Sequence, residues 1–172
     1  MLKDIANFNN LNDYLPLLNA ILLLDIVAIL LATNRIFDYA FLREWYQKFL
    51  LSAVIADVAL IILVFIIARA VYYNVFDKFS IIQFIFIAVI IQICHDMLFY
   101  VMISNIPKGT NKILDFFQDY AKDASYGAII GGSIVVILIA LMTSYLANFN
   151  TNTNIILMIL TTYLLQYVLY NN

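Results

Sequence analysis

The chain has 172 residues, of which 65% are hydrophobic and only 12% are charged. A soluble globular domain carries about 25% charged residues, so this deficit makes lipid rather than water the main solvent. The formal net charge of −2 excludes a basic footprint for nucleic acid, and the single cysteine, Cys94, excludes an internal disulfide or a CxxC redox pair.

The length suits a single integral membrane domain over residues 1–172. Ile, Tyr, Phe, Asn and Lys are favoured over Gly and Pro, a bias that AT-rich coding produces. Five apolar stretches follow one another, at about residues 15–33, 49–72, 81–103, 126–146 and 154–170. A spanning helix needs roughly 17–25 mainly apolar residues, and backbone in lipid must satisfy its own hydrogen bonds, so each is read as a transmembrane helix. The period-2 alternation of a membrane barrel is absent.

The first stretch reads as a retained helix and not as a signal peptide. Lys3, Asp4 and Asp13 precede it in place of a positive leader, and Asp25 interrupts its apolar run. Asp13 is placed to cap this helix, with Pro16 in its first turn. The connection 34–48 is amphipathic, and its Trp45 and Tyr46 are expected at headgroup depth. Residues 73–80 and 147–153 read as short turns. In 105–124, Pro107, Lys108 and Gly109 make a turn and Thr110 can cap a following helix over about 110–124. Ile113, Phe117, Tyr120 and Ala124 share one face of that helix, while Lys112, Asp115, Asp119 and Lys122 are available to water. It reads as an amphipathic helix lying in the membrane interface.

Five spans put 34–48, 105–124 and the C-terminus on one side. That side carries Arg35, Arg43, Lys48, Lys108, Lys112 and Lys122. The other carries Lys3 and Lys78, with Arg69 able to snorkel there. The positive-inside rule then predicts a cytoplasmic C-terminus and a non-cytoplasmic N-terminus.

Ionisable residues inside the apolar stretches are the main functional lead. At about 1.5 Å per residue, Asp25, Asp57, His95 and Asp96 lie roughly 10–12 Å inside the expected cytoplasmic surface. Gln92 falls on the same stripe as His95 and Asp96, along with Ala88 and Phe99. Ser52, Ala53, Ala56 and Asp57 form a small polar patch on the second stretch. Gly131, Gly132 and Ser133 lie level with the layer on the fourth stretch, and Thr161 and Thr162 on the fifth. Gly127 and Gly131 make a GxxxG, overlapped at fours by Ala124, Ala128 and Gly132, which predicts close helix packing.

Three aspartates against one histidine leave an acidic excess. Either an Asp keeps its proton or a cation binds there. Each intramembrane Asp costs about 2.5–3.5 kcal/mol, so such residues are paired or used. Three uses stay open: inter-helix hydrogen bonds that fix register, a proton or cation pathway, and a catalytic or metal site. His95 is more simply a core histidine bonded to Asp25 or Asp57 than a metal ligand, since multi-His spacing is missing and no metal is assigned. Cys94 reads as a small buried hydrophobe. The GxxxG serves either packing within the chain or homodimerisation. No cofactor motif, Walker loop, HExxH, nucleophile elbow or TVGYG filter is present, no spanning lysine could carry a retinal, and the enzyme reading is disfavoured.

Several strings look familiar as a group: Leu51-Ser52-Ala53-Val54-Ile55-Ala56-Asp57, Ile91-Gln92-Ile93-Cys94-His95-Asp96-Met97-Leu98-Phe99-Tyr100, Ile106-Pro107-Lys108-Gly109-Thr110-Asn111 and Leu114-Asp115-Phe116-Phe117. Across about residues 42–170 the chain resembles an uncharacterised multi-spanning membrane protein family of nucleocytoplasmic large DNA viruses. The resemblance implies a virus-encoded protein of a virion or host membrane, and it brings no activity and no catalytic residues.

The expectation is therefore an all-α, five-span bundle with an interfacial helix. Its partners are the lipid bilayer and either further copies or other membrane proteins. The leading function is structural or in assembly. The runner-up is a small proton- or cation-translocating protein using the Asp/His layer, and the third is an intramembrane enzyme.

Overall fold

The structure is a computed structural model, and it describes residues 2–34, 40–124 and 126–171. Arg35 of the charge count lies outside the described residues, as do the side chains of Lys122, Ala124 and Ala128. The described elements are all helical: a 3-10 turn Leu11–Asp13, then α1 Tyr14–Thr33, α2 Ala40–Phe49, α3 Leu51–Val75, α4 Ile81–Ser104, α5 Lys112–Ala124, α6 Tyr126–Leu146 and α7 Thr151–Leu169. Among the described residues there is no strand.

Five of these segments are long and apolar enough to cross a membrane: Leu11–Thr33, Leu51–Val75, Ile81–Ser104, Ile129–Leu146 and Thr151–Leu169. Their outward faces carry exposed Ile82, Phe86, Leu98, Ile130 and Ile159. A belt of this kind would be a large apolar patch in water, and a bilayer covers it. The architecture is that of a multi-pass integral membrane protein in a lipid environment.

Helices α1, α3, α4 and α6 pack in a closed ring, and α7 lies along α1. One core fills the ring at the end away from α2 and α5, with Leu17, Ile21, Val64, Phe65, Phe84 and Val136 at its centre. Asn19, fully buried on α1, adds a polar tie. Its Nδ2 donates to the carbonyl oxygen (2.9 Å) and Oδ1 (3.1 Å) of Asn154 on α7, and Asn154 Nδ2 donates to Leu146 O at 3.1 Å.

The N-terminal segment closes that end, and here the structure differs from two expectations. Asp13 makes no side-chain cap bond to α1. Arg69 does not snorkel to the surface and is 2% exposed. Its Nη2 donates to the carbonyls of Asn7 (2.5 Å) and Asn10 (2.7 Å), lies 3.4 Å from Asp13 Oδ2, and its guanidinium sits over the Tyr14 ring. A buried guanidinium needs acceptors, and the N-terminal turn supplies them more closely than water could. Lys3 anchors the same segment to α6 through Ser144 and Ala147.

α2 and α5 close the opposite end. The start of the second apolar stretch is divided: Phe49 ends α2, and α3 begins at Leu51. Leu50 between them has φ 48° and ψ −125°, a conformation that favours glycine. Such a residue costs on the order of 1–3 kcal/mol, which the docking of α2 must offset. The sharp break folds α2 back on the bundle and buries Trp45 and Tyr46, at 2% and 5% exposed, against the other helices.

Phe116 and Phe117 of α5 pack on Trp45, with ring centroids 5.6 and 4.9 Å away, and Phe41 stacks on Phe116 at 4.9 Å. Helix α5 is amphipathic as expected, but its cap is Asn111, which accepts from Ile113 N and Leu114 N. Thr110 instead closes the preceding turn by donating to Pro107 O. The positive φ of Gly109 brings its N–H onto the Asp115 carboxylate at 3.0 Å.

Candidate functional site

The expected layer resolves into two groups. In the first, Asp25 of α1 and Asp57 of α3 face each other across α2. Tyr46 Oη lies 3.1 Å from Asp57 Oδ2 and 3.5 Å from Asp25 Oδ1, and Trp45 Nε1 donates to Asp57 Oδ2 at 3.1 Å. Asp25 is 7% exposed, and its Oδ2 has no hydrogen-bond partner. None of the described ion pairs includes Asp25 or Asp57. Tyr46 lies outside the spanning segments; burial first, then the Asp57 and Asp25 carboxyls, hold its phenol well above the ordinary tyrosine value.

Helix geometry and the turn at Leu50 create this arrangement. Trp45 and Tyr46 sit twelve and eleven positions before Asp57. A continuous helix would put them about 17–18 Å along the axis from it. Reversal at Leu50 brings both onto the Asp57 carboxyl.

The second group lies on α4. Gln92, buried, donates to Asp96 Oδ2 at 2.6 Å, and His95 Nδ1 is 3.3 Å from Asp96 Oδ1. His95 therefore pairs with its neighbour rather than with Asp25 or Asp57 as expected. An aromatic wall stands between the groups: the His95 ring stacks on Phe99, which meets Phe117 edge-on at 5.3 Å, and Phe117 packs on Trp45. Among the described residues no hydrogen bond links the two groups.

The remaining residues of the layer serve their own helices. Ser133 Oγ donates to Ile129 O, Thr161 Oγ1 lies within bonding distance of Leu157 O and Met158 O, and Thr162 is exposed. Of the two uses of the GxxxG, packing within the chain does not involve its pair of glycines. Gly127 and Gly131 are exposed, and a Cβ on either would meet nothing within 4 Å. The close approach falls on Gly132, where a Cβ would lie 3.1 Å from Gln92 Cδ, press on its amide nitrogen, and lie 3.6 Å from Asp96 Oδ2. GxxxG spacing places two glycines on one face without saying which face meets a neighbour. Cys94 is exposed on α4, not buried.

Sequence reasoning missed Trp45 and Tyr46 as partners of the layer, and it missed Asn19. The signal for Asn19 was present, since an amide inside an apolar run needs a partner just as an aspartate does.

Among the described residues no three His, Cys, Asp or Glu side chains gather as a metal set. A shallow cavity of about 390 Å³ lies on the outer side of α2 beside Arg43, Glu44 and Lys48, and one of about 330 Å³ lies between α4 and α5 beside Tyr100, Lys108 and Gln118. Neither is lined by a residue of the layer. Chemically, the first group can hold or pass a proton through Tyr46. The second joins an amide, a carboxyl and an imidazole. Comparison with protein-family models, curated proteins and solved structures gives no match.

Proposed function

We propose that the protein is a non-enzymatic, virus-encoded membrane protein with a structural or assembly role in a virion or host membrane, its α2–α5 end and C-terminus cytoplasmic. The observation that carries the architectural part is the direct bonding of the layer. Asp57 on α3 accepts from Trp45 and Tyr46 on α2, so this costly polar group is spent on holding two helices together. The viral part rests on the resemblance of the strings around Asp57, His95, Pro107 and Phe116.

The test reconstitutes the full chain in liposomes loaded with a pH-sensitive dye. The expected result is no flux under a proton or cation gradient, together with a lowered unfolding temperature for Asp57→Asn. Flux that Asp57→Asn abolishes would overturn this reading. It would favour a second reading, proton translocation, for which the contact of Tyr46 with both Asp25 and Asp57 speaks.

A further inference from the structure

The contact between Asp25, Tyr46 and Asp57 places two carboxyls on one hydroxyl. A tyrosine hydroxyl has one proton and donates one hydrogen bond; its lone pairs can only accept. Asp57 Oδ2 has the closer claim on that proton, at 3.1 Å against 3.5 Å for Asp25, and it also receives Trp45 Nε1–H. The Tyr46 lone pairs are then left facing Asp25 Oδ1. The other oxygen of Asp25, Oδ2, is buried without a partner.

An ionised Asp25 would meet a lone pair on one side, no donor on the other, and the Asp57 carboxylate beyond Tyr46. A neutral Asp25 removes all three conflicts, because its O–H can donate to Tyr46 Oη.

We propose that Asp25 and Asp57 form one proton-binding site, in which the proton on Asp25 is donated to Tyr46 Oη, Tyr46 donates to the Asp57 carboxylate, and the bound proton fastens α2 to the bundle. This goes beyond an architectural role and stands whether or not the protein conducts. Among the described residues, the other packed elements bring no counter-charge to the site. α3 contributes Asp57 itself. α2 turns Trp45 and Tyr46 inward, while Glu44 and Lys48 pair on its exposed side beside Arg43. Ser133 on α6 and Thr161 on α7 are each bonded to their own helix. His95 and Asp96 on α4 pair with each other.

When a base in water removes the proton, two carboxylates compete for one hydroxyl. α2 supplies both donors and hangs on the strained Leu50, so it is the element that leaves.

Trp45 is the only tryptophan in the chain and lies at the site, so its emission reports α2 docking directly. The full chain in lipid nanodiscs is titrated from acidic to alkaline pH while Trp45 emission and the carboxylic-acid carbonyl infrared band are followed. The expected result is one deuteration-sensitive acid band at neutral pH, lost in step with a red shift of Trp45 in a one-proton transition. Asp25→Asn, whose amide can donate to Tyr46 as the acid does, loses both the band and the transition and stays blue. Asp77→Asn, in the exposed α3–α4 turn, keeps both. A band or transition that survives Asp25→Asn overturns the proposal. So does a native protein without the acid band at neutral pH, a reading that stands even if Asp25→Asn fails to fold.

Discussion

Removing the Tyr46 hydroxyl takes one of the two donors from Asp57 and leaves the ring in place. Hydrogen bonds to charged groups are worth about 1.5–3 kcal/mol, and Tyr46→Phe is expected to lose that much in thermal unfolding in detergent, with Trp45 emission shifted red. The phenol also sets a pH limit. Burial and the two carboxyls raise it well above its ordinary value, so its contribution is complete below about pH 10 and is lost as pH rises beyond that. The unfolding temperature should therefore fall in that alkaline range, and Tyr46→Phe should flatten the fall. An unchanged slope would show that Tyr46 is not the titrating group.

At the scale of elements, α4 meets α6 through Gly132, while Gly127 and Gly131 face open space. Replacing helical glycine by alanine gains up to about 1 kcal/mol of propensity. Gly127→Ala and Gly131→Ala should be neutral or stabilising. Gly132→Ala must push the buried Gln92 amide off Asp96, and should be destabilising by about 1 kcal/mol net once the lost charge-assisted bond is set against that gain. Equal effects at all three positions, read by thermal unfolding, would place the helix contact elsewhere.

The N-terminal segment is the second test at this scale. Arg69→Met leaves Asp13, 1% exposed, with its closest cation gone, and should cost about 3–5 kcal/mol. Limited proteolysis should then cut within residues 2–13. Arg69→Met combined with Asp13→Leu should recover part of the loss, because two apolar groups need no partner.

For the whole molecule, the two ends of the bundle are closed by different means. An ion pair and main-chain carbonyls hold the N-terminal segment at one end, and an aromatic layer under α2 and α5 covers the other. A bilayer offers no hydrophobic drive between helices, so packing and polar contacts such as Asn19–Asn154 decide which helices stay together. The positive charges collect on the α2–α5 side. A reporter fused after Asn172 is expected in the cytoplasm, and protease protection of a C-terminal tag in sealed right-side-out cells checks it. A C-terminus found outside would reverse the orientation.

The number, type and approximate limits of the spanning helices could be read from the chain alone, because lipid demands long apolar segments with internal hydrogen bonds, and the chain supplies five. The positions of Asp25, Asp57, His95 and Asp96 along their helices follow in the same way, since rise per residue is constant along a helix. Partners are a different matter. Trp45 and Tyr46 near charged residues have the composition of an interface belt, and their burial depends on a reversal at Leu50, a residue whose side chain does not announce a positive φ. The split between the Asp25–Asp57 and Gln92–His95–Asp96 groups depends on which ring face each helix presents. Periodicity gives angles around a helix axis, and only packing decides what lies opposite.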